Sequence, residues 1–197
     1  MTTIQTADPE IIRKQRLFFK RFNHFMIWLW RLGFRRWING WPEAGGRILV
    51  IAHTGRKSGL RRLTPVKYAE VDGELYCTAG FGAVSDWYRN ILANPRVELW
   101  LPDSRWQAMA EDVSDSPKRI PLLRQVLIGS GVVAPLMGLQ PRTMSDAELA
   151  SDTSEYRLVH LRRLQALTGP GGPGDLAWIW IPGMAIMGLL LLKRYRS

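Results

Sequence analysis

The sequence predicts a small, mostly antiparallel β-barrel of the α+β or mainly-β class, and three observations predict it. Six short segments rich in β-branched and aromatic residues follow one another between Arg47 and Leu164. Two turn signatures, Asp72-Gly73 and Pro102-Asp103-Ser104, join neighbouring segments as hairpins. Two helical patterns, Ser85–Ala93 and Arg119–Ile128, are interspersed among the strands without the regular alternation of a parallel sheet. The 197 residues, 46% of them hydrophobic and 22% charged, suffice for one such domain and exclude whole-chain disorder. The single cysteine, Cys77, excludes a disulfide framework and a cysteine-based zinc site.

Along the chain, residues 11–38 read as a cationic amphipathic helix. Phe18, Phe22, Phe25, Leu29 and Leu32 recur at helical spacing, with Trp28, Trp30 and Trp37 widening the apolar side. Arg13, Arg16, Lys20, His24, Arg31 and Arg35 form the opposite stripe. Such a helix either caps the core or lies in a membrane interface, and the two are compatible. The strands are Arg47–Thr54, Arg62–Ala69, Glu74–Ala79, Arg96–Leu101, Arg105–Val113 and Tyr156–Leu164. Ser85 is placed to cap the first short helix, Asp86 suits its first turn, and Asn94-Pro95 stops it. Pro121 confines the start of the second, and residues 129–150 read as loop with a short helix.

A flexible Gly/Pro run, Thr168 to Gly174, leads to Asp175 and then to seventeen uncharged residues, Leu176–Leu192, closed by Lys193, Arg194, Tyr195 and Arg196. Seventeen helical residues reach roughly 26 Å, the short limit for a hydrocarbon core of about 30 Å, so the tail is expected to touch a membrane by spanning it or by dipping into it, with packing against the domain as the alternative. The organisation is therefore a helix over 1–43, a barrel over 44–168, a linker over 169–175 and an apolar tail over 176–197.

Charge is one-sided. Residues 11–69 carry fourteen Lys/Arg against one acid, Glu43, so the net charge of +10 resides in the first third of the chain. Such a field attracts polyanions: nucleic acid, an anionic membrane face or a multiply charged cofactor. The aromatics there follow an amphipathic helix, not a base-stacking platform, so nucleic acid is not expected.

Two stretches carry chemistry. In Gly55-Arg56-Lys57-Ser58-Gly59-Leu60-Arg61-Arg62 the glycines allow a sharp turn with outward amides, and four cations surround it, as an anion site requires. The spacing is not that of a P-loop. In Gly80-Phe81-Gly82-Ala83-Val84-Ser85-Asp86-Trp87-Tyr88-Arg89-Asn90 the glycines allow close approach of a ligand, while Trp87 and Asn90, one helical turn apart, offer a flat wall beside an amide.

Gly55-Arg56-Lys57-Ser58-Gly59 with Arg62-x-x-Pro65, followed by Trp87-Tyr88-x-Asn90-x-x-Ala93-Asn94-Pro95-x-Val97, resembles the deazaflavin (F420)-dependent nitroreductase family over about residues 46–113. That resemblance implies a split β-barrel of the flavin-reductase-like superfamily, here six-stranded, and coenzyme F420 as cofactor, with FMN as second choice. The coenzyme has a flat deazaflavin ring and a tail of phosphodiester and polyglutamate. By the family pattern Arg56, Lys57, Ser58 and Arg62 take the tail. Pro65 and Val66 lie beside the ring, Gly80, Phe81, Gly82 and Trp87 line the other side, and Asn90 orients the loop. Hydride transfer from the reduced coenzyme to a small or lipid-soluble acceptor, a quinone or nitro compound, is the implied reaction. The alternative is a carrier of coenzyme or lipid without turnover.

The chain departs from that pattern in two places. Gly80-Phe81 stands where the family has a Ser-Lys pair, and Arg124–Gln140 contains no tyrosine. Val126, Leu127, Val132, Val133, Leu136 and Met137 are expected to form an apolar acceptor pocket instead. No proton donor stands out, and Tyr88 is the weak candidate. His53, His160 and Cys77 are expected to be structural, His24 to belong to the cationic helix face, and no residue set suggests a metal. Ser58 and Ser85 lack the partners of a hydrolase triad. The expected place of action is the cytoplasmic side of the cell membrane, with an anionic membrane surface and a small-molecule acceptor as partners and homo-oligomers open.

Overall fold

The computed structural model describes residues 21–182 and Met184. Six strands form a closed barrel in the order β1-β2-β3-β6-β5-β4, with every neighbouring pair antiparallel. They are β1 (Ile48–Thr54), β2 (Arg61–Val71), β3 (Glu74–Ala79), β4 (Arg96–Trp100), β5 (Arg105–Asp112) and β6 (Arg157–Ala166). Pairing of Val50 with Trp100 and of Ala52 with Glu98 closes the ring, leaving no unpaired edge. Asp72 (φ 52°) and Gly73 (φ 79°) give the β2–β3 hairpin the two left-handed residues of a tight primed turn.

Alternation places the core. Leu75, Cys77 and Ala79 of β3 point inward with Leu49, Ile51, Val66, Tyr68, Leu99 and Leu161. β1 is buried on both faces, which explains its uninterrupted apolar run. Its outward residues Ile48 and Val50 pack with Trp100 against Met26 and Trp30 of helix α1, which covers residues 21–31. The outer faces of β2 and β3 are covered instead by α5 (Arg119–Gly129), where Leu123, Val126 and Leu127 meet Ala69, Leu149 and Leu158.

Between these lie α2 (Arg35–Ile38), α3 (Pro42–Gly45) and α4 (Asp86–Ala93); α6 (Val133–Leu136) and α7 (Asp146–Asp152) fill the stretch expected to be mostly loop. Ser145 and Glu148 cap α7 reciprocally, a Ser-x-x-Glu box visible in the sequence. Ser85 stands at the N-cap of α4, but its side chain makes no capping bond.

Three expectations need correction. The N-terminal helix is not continuous to residue 38: it turns at 32–34, where Gly33 adopts φ 95°, before α2 begins. Its covered side is not the Phe22/Phe25 side. Met26 and Trp30 are buried, whereas Phe25 and Trp28 are 58% and 54% exposed. Phe18 and the cations at 13, 14, 16 and 20 lie outside the described residues.

The Gly/Pro run is not a free linker. Arg35 donates to the carbonyls of Pro102 and Pro173, Arg105 to that of Pro170, and Arg31 forms a bidentate pair with Asp175. Gly172 is seated under the Arg105 side chain, where a Cβ would lie 2.5 Å from the guanidinium. The start of the tail, a 3-10 turn at Ala177–Ile179, lies on the same corner: Trp180 donates to the carbonyl of Leu32 and meets Phe34 edge-on. No helix among the described residues is long and apolar enough to cross a membrane, and residues 185–197 of the expected tail lie outside them.

Candidate functional site

A cavity of about 610 Å³ runs from the end of the barrel beneath α4, past Pro65, to the space between β2 and α5–α6. Even-numbered residues of β2 turn into the barrel and odd-numbered ones outward, so one strand supplies both ends. Arg62 and Thr64 stand at the barrel mouth with His53, Trp87 and Asn90; Pro65 and Lys67 face outward toward Val126, Leu127, Val133, Ala134 and Met137. Asn23 of α1, Ser130 and Tyr156 complete the wall.

The β1–β2 turn is more internally bonded than its glycines suggest. Gly55 N–H donates to Leu60, Ser58 and Gly59 N–H both donate to the carbonyl of Gly55, and Arg56 N–H donates to Asn90 Oδ1 at 3.1 Å. The expected outward amides are therefore largely consumed, and what the turn offers a ligand is its cations. These divide into two pairs. Arg56 bonds Asn90 Oδ1 and Asp86, and Arg61 bonds Glu98. Lys57 and Arg62 meet no acidic side chain among the described residues; Arg62 lies over Gly55 and donates weakly to Ser58 Oγ at 3.4 Å. A Cβ at Gly55 would fall 2.8 Å from Ser58 Oγ and 2.9 Å from Arg62 Nε, so both side chains lie close over this backbone.

Behind the turn lies a polar chain that sequence reading missed. Asn90 is buried, and its Oδ1 accepts two bonds from Arg56, so its amide nitrogen faces His53 Nδ1 at 3.4 Å. His53 Nε2 then carries the proton and donates to Thr64 Oγ1 at 3.0 Å. Burial, reinforced by Arg62, pushes the His53 pKa down to about 4, so the ring is neutral at physiological pH. The Thr64 hydroxyl keeps its own proton to offer into the cavity.

Of the residues expected at the site, Arg62, Pro65, Val66, Gly80, Phe81, Trp87 and Asn90 line the cavity. Val66 does so while its side chain packs in the barrel core. Arg56 reaches the site through Asn90 and Asp86, Lys57 and Ser58 stand exposed on the turn, and Gly82 is buried at φ 64°, where a Cβ would lie 2.4 Å from the carbonyl oxygen of Glu155. Gly82 is thus a packing requirement of the chain. Tyr88 is displaced from the site: its hydroxyl donates to Asp112 Oδ2 at 2.6 Å inside the core, and burial with that bond raises its pKa to about 12. Val132 and Leu136 point away from the acceptor side of the cavity, where Ala134 and Leu139 stand instead.

His160 bonds Glu74 and stacks on Tyr76, and burial pushes the Cys77 thiol up, so both serve structure. Among the described residues no cluster of His, Cys, Asp or Glu could hold a metal.

Residues 37–128 match the family described as F420H(2)-dependent quinone reductase. The match covers 92 of the chain's 197 residues. It contains both motifs, the cationic turn and the α4 wall. The chain is accordingly an oxidoreductase whose cofactor is coenzyme F420. The described fold, a closed six-stranded antiparallel barrel with helices, is the one the resemblance implied. Among solved structures, a conserved hypothetical protein from Mycobacterium tuberculosis is 20% identical, with 64% of this chain and 85% of that chain covered and a TM-score of 0.44. An F420-H2 dependent reductase (FDR-A) is 21% identical over 59% of this chain and 94% of that one, also at 0.44. The heme storage protein HutZ from Vibrio cholerae is 15% identical over 71% and 94%, at 0.46. The fold assignment rests on the barrel itself.

The cavity fits the F420 coenzyme. Its mouth carries Arg62, with Lys57 on the adjoining turn, neither paired with an acidic side chain among the described residues, an arrangement suited to an acidic appendage. The adjoining wall of Pro65, Gly80, Phe81 and Trp87 is flat and largely apolar, suited to a ring.

Proposed function

We propose that the chain reduces a lipid-soluble quinone with reduced F420, at a membrane surface. The observation that carries this reading is the continuity of the cavity: Arg62, which meets no acidic side chain among the described residues, at one end and a largely apolar chamber at the other are both served by one strand, β2. Bound reduced F420 supplies a hydride. The protein supplies position. Lys57 and Arg62 hold the anionic appendage by charge-assisted bonds, with Ser58 beside them. Arg56 and Asn90 keep the turn against α4, and His53 aims the Thr64 hydroxyl at the ring. Pro65, Phe81 and Trp87 would hold the ring, and Val126, Val133, Ala134 and Met137 in the adjoining part of the cavity would select an apolar acceptor and exclude water.

Loss of the coenzyme's absorbance, followed with a menaquinone analogue and separately with a nitroaromatic, tests this. Protein-dependent oxidation that is faster with the quinone is expected; turnover with the nitroaromatic alone would replace the acceptor class.

The membrane part of the reading is supported by exposed aromatic and apolar side chains on one corner, Phe25, Trp28, Trp37, Trp178 and Ile181, in the cationic third of the chain and at the base of the tail. Trp and Arg together suit a headgroup region. Sedimentation with vesicles of anionic and of neutral lipid is expected to show binding that favours the anionic ones; recovery of all the protein in the supernatant with both would remove the membrane from the account.

A further inference from the structure

Lys67 is a cation that holding the coenzyme's tail does not use. It follows Pro65 by two residues on β2, so both side chains leave the strand on the face turned to α5, and both line the cavity. Its Nζ donates to the carbonyl oxygen of Gly45 at the end of α3, and Lys67 shares the cavity wall with Asn23 and Ser130. Its partner is thus a neutral carbonyl, not a carboxylate that would hold the proton in place.

Hydride transfer leaves a quinone one proton short. The hydride brings two electrons and one hydrogen, and the product is a hydroquinone anion until its oxygen is protonated. We propose that Lys67 is the proton donor to the acceptor, its ammonium giving H⁺ to the acceptor's oxyanion as the hydride arrives. The balance is complete: the electron pair and one hydrogen come from the reduced coenzyme and the second proton from Nζ. The resulting amine is reprotonated from solvent, which receives the proton that the coenzyme releases on oxidation. The inference rests on the quinone reading given above.

Burial lowers the Lys67 pKa from 10.5 to about 8, so the ammonium is a stronger acid than a phenolic product with a pKa of about 10 and transfer runs downhill. The charged groups on the elements around it are Glu43 on α3, Arg47 ahead of β1, Arg21 and His24 on α1, and Arg119 and Arg124 on α5. Burial, and none of these charges, is the cause of the shift. Arg119 is held by the carbonyls of Thr153 and Tyr156, and Arg124 by Asp146 and the carbonyl of Pro141.

Rival donors fit less well. Tyr156 lines the cavity beside Gly80 and packs on the cluster of α5 and α6, but burial raises its pKa above 10, leaving it a weaker acid than the product it would serve. Tyr88 donates to Asp112, and His53 spends its proton on Thr64.

The test compares native protein, Lys67→Met and Lys67→Arg in single-turnover oxidation of reduced F420 by a menaquinone analogue from pH 6 to 10, with F420 affinity read by fluorescence. The native rate is expected to fall above about pH 8. Lys67→Met is expected to be slower by about 10²-fold, without that fall, and with F420 affinity kept. Lys67→Arg keeps the charge but is a poor acid, so it is expected to stay slow with a flat profile. Restoration of rate by Arg would show that charge alone matters and would overturn proton donation, as would a Met variant that keeps the native rate and profile. Native protein that binds F420 yet oxidises it with no quinone would overturn the quinone reading first and this inference with it.

Discussion

Arg62 and Lys67 are five positions apart on one strand and face the two ends of one cavity, in surroundings of opposite character. Arg62 stands exposed at the mouth, in water, beside Lys57 and without an acidic partner. Water around its charge screens it but does not neutralise it. Lys67 is roofed by α3 and α5 and has lost part of its solvation, so its proton is less firmly held. The same formal charge thus serves as a grip at one end and as a source of protons at the other, and what decides is the cover that the helices place over the strand.

The comparison breaks most visibly at the mouth. Replacing Lys57 and Arg62 together by Ala removes two charge-assisted contacts, each worth about 1.5–3 kcal/mol, so F420 affinity is expected to fall by at least about 10²-fold. The melting temperature should stay put, since neither residue is tied to an acid in the fold; fluorescence titration and calorimetry read the two effects.

Arg56→Ala sharpens the contrast within the turn. It leaves Asn90 Oδ1 with the backbone N–H of residue 56 but without the guanidinium donor, so stability is expected to drop by about 1 kcal/mol alongside binding. Denaturant midpoints compared with those of Lys57→Ala would show whether the turn's cations divide as the geometry says. A smaller change is Thr64→Val, which keeps shape and removes the hydroxyl that His53 orients; about a fivefold loss of F420 affinity is expected, recovered in Thr64→Ser.

A further effect is on stability at alkaline pH. Lys67 has its folded pKa, about 8, below its ordinary 10.5, so the unfolded chain binds more protons between those values. Native stability relative to Lys67→Met should therefore rise with pH across that window, which parallel denaturant titrations at pH 7.5 and 10 measure.

Much of the barrel was legible in the sequence because its signals are local. Alternation along β3, the Asp72-Gly73 turn and the Asn94-Pro95 stop each act within a few residues. The α1 face was misread for the opposite reason. Its segment carries large apolar residues nearly all round, and only β1 and Trp100 decide that Met26 and Trp30 are the ones covered. The Gly/Pro run reads as flexible until Arg31, Arg35 and Arg105, distant in sequence, are found bonded to it.

At the site, the family motifs marked the coenzyme side, since its residues fall in two short stretches. Lys67 carried a readable signal, its two-residue offset from Pro65 on a strand, which places both on one face. His53 carried none: its role depends on Asn90 from α4 and Thr64 from the paired strand, a chain that exists only once β1, β2 and α4 meet.

Titration of the folded native protein with F420, repeated across a salt series, bears most directly on the claim that the barrel mouth grips an anionic coenzyme. A saturable one-to-one complex whose affinity weakens steadily as salt rises is the predicted result. A protein with its native melting transition that forms no complex, or one whose affinity ignores salt, would contradict it.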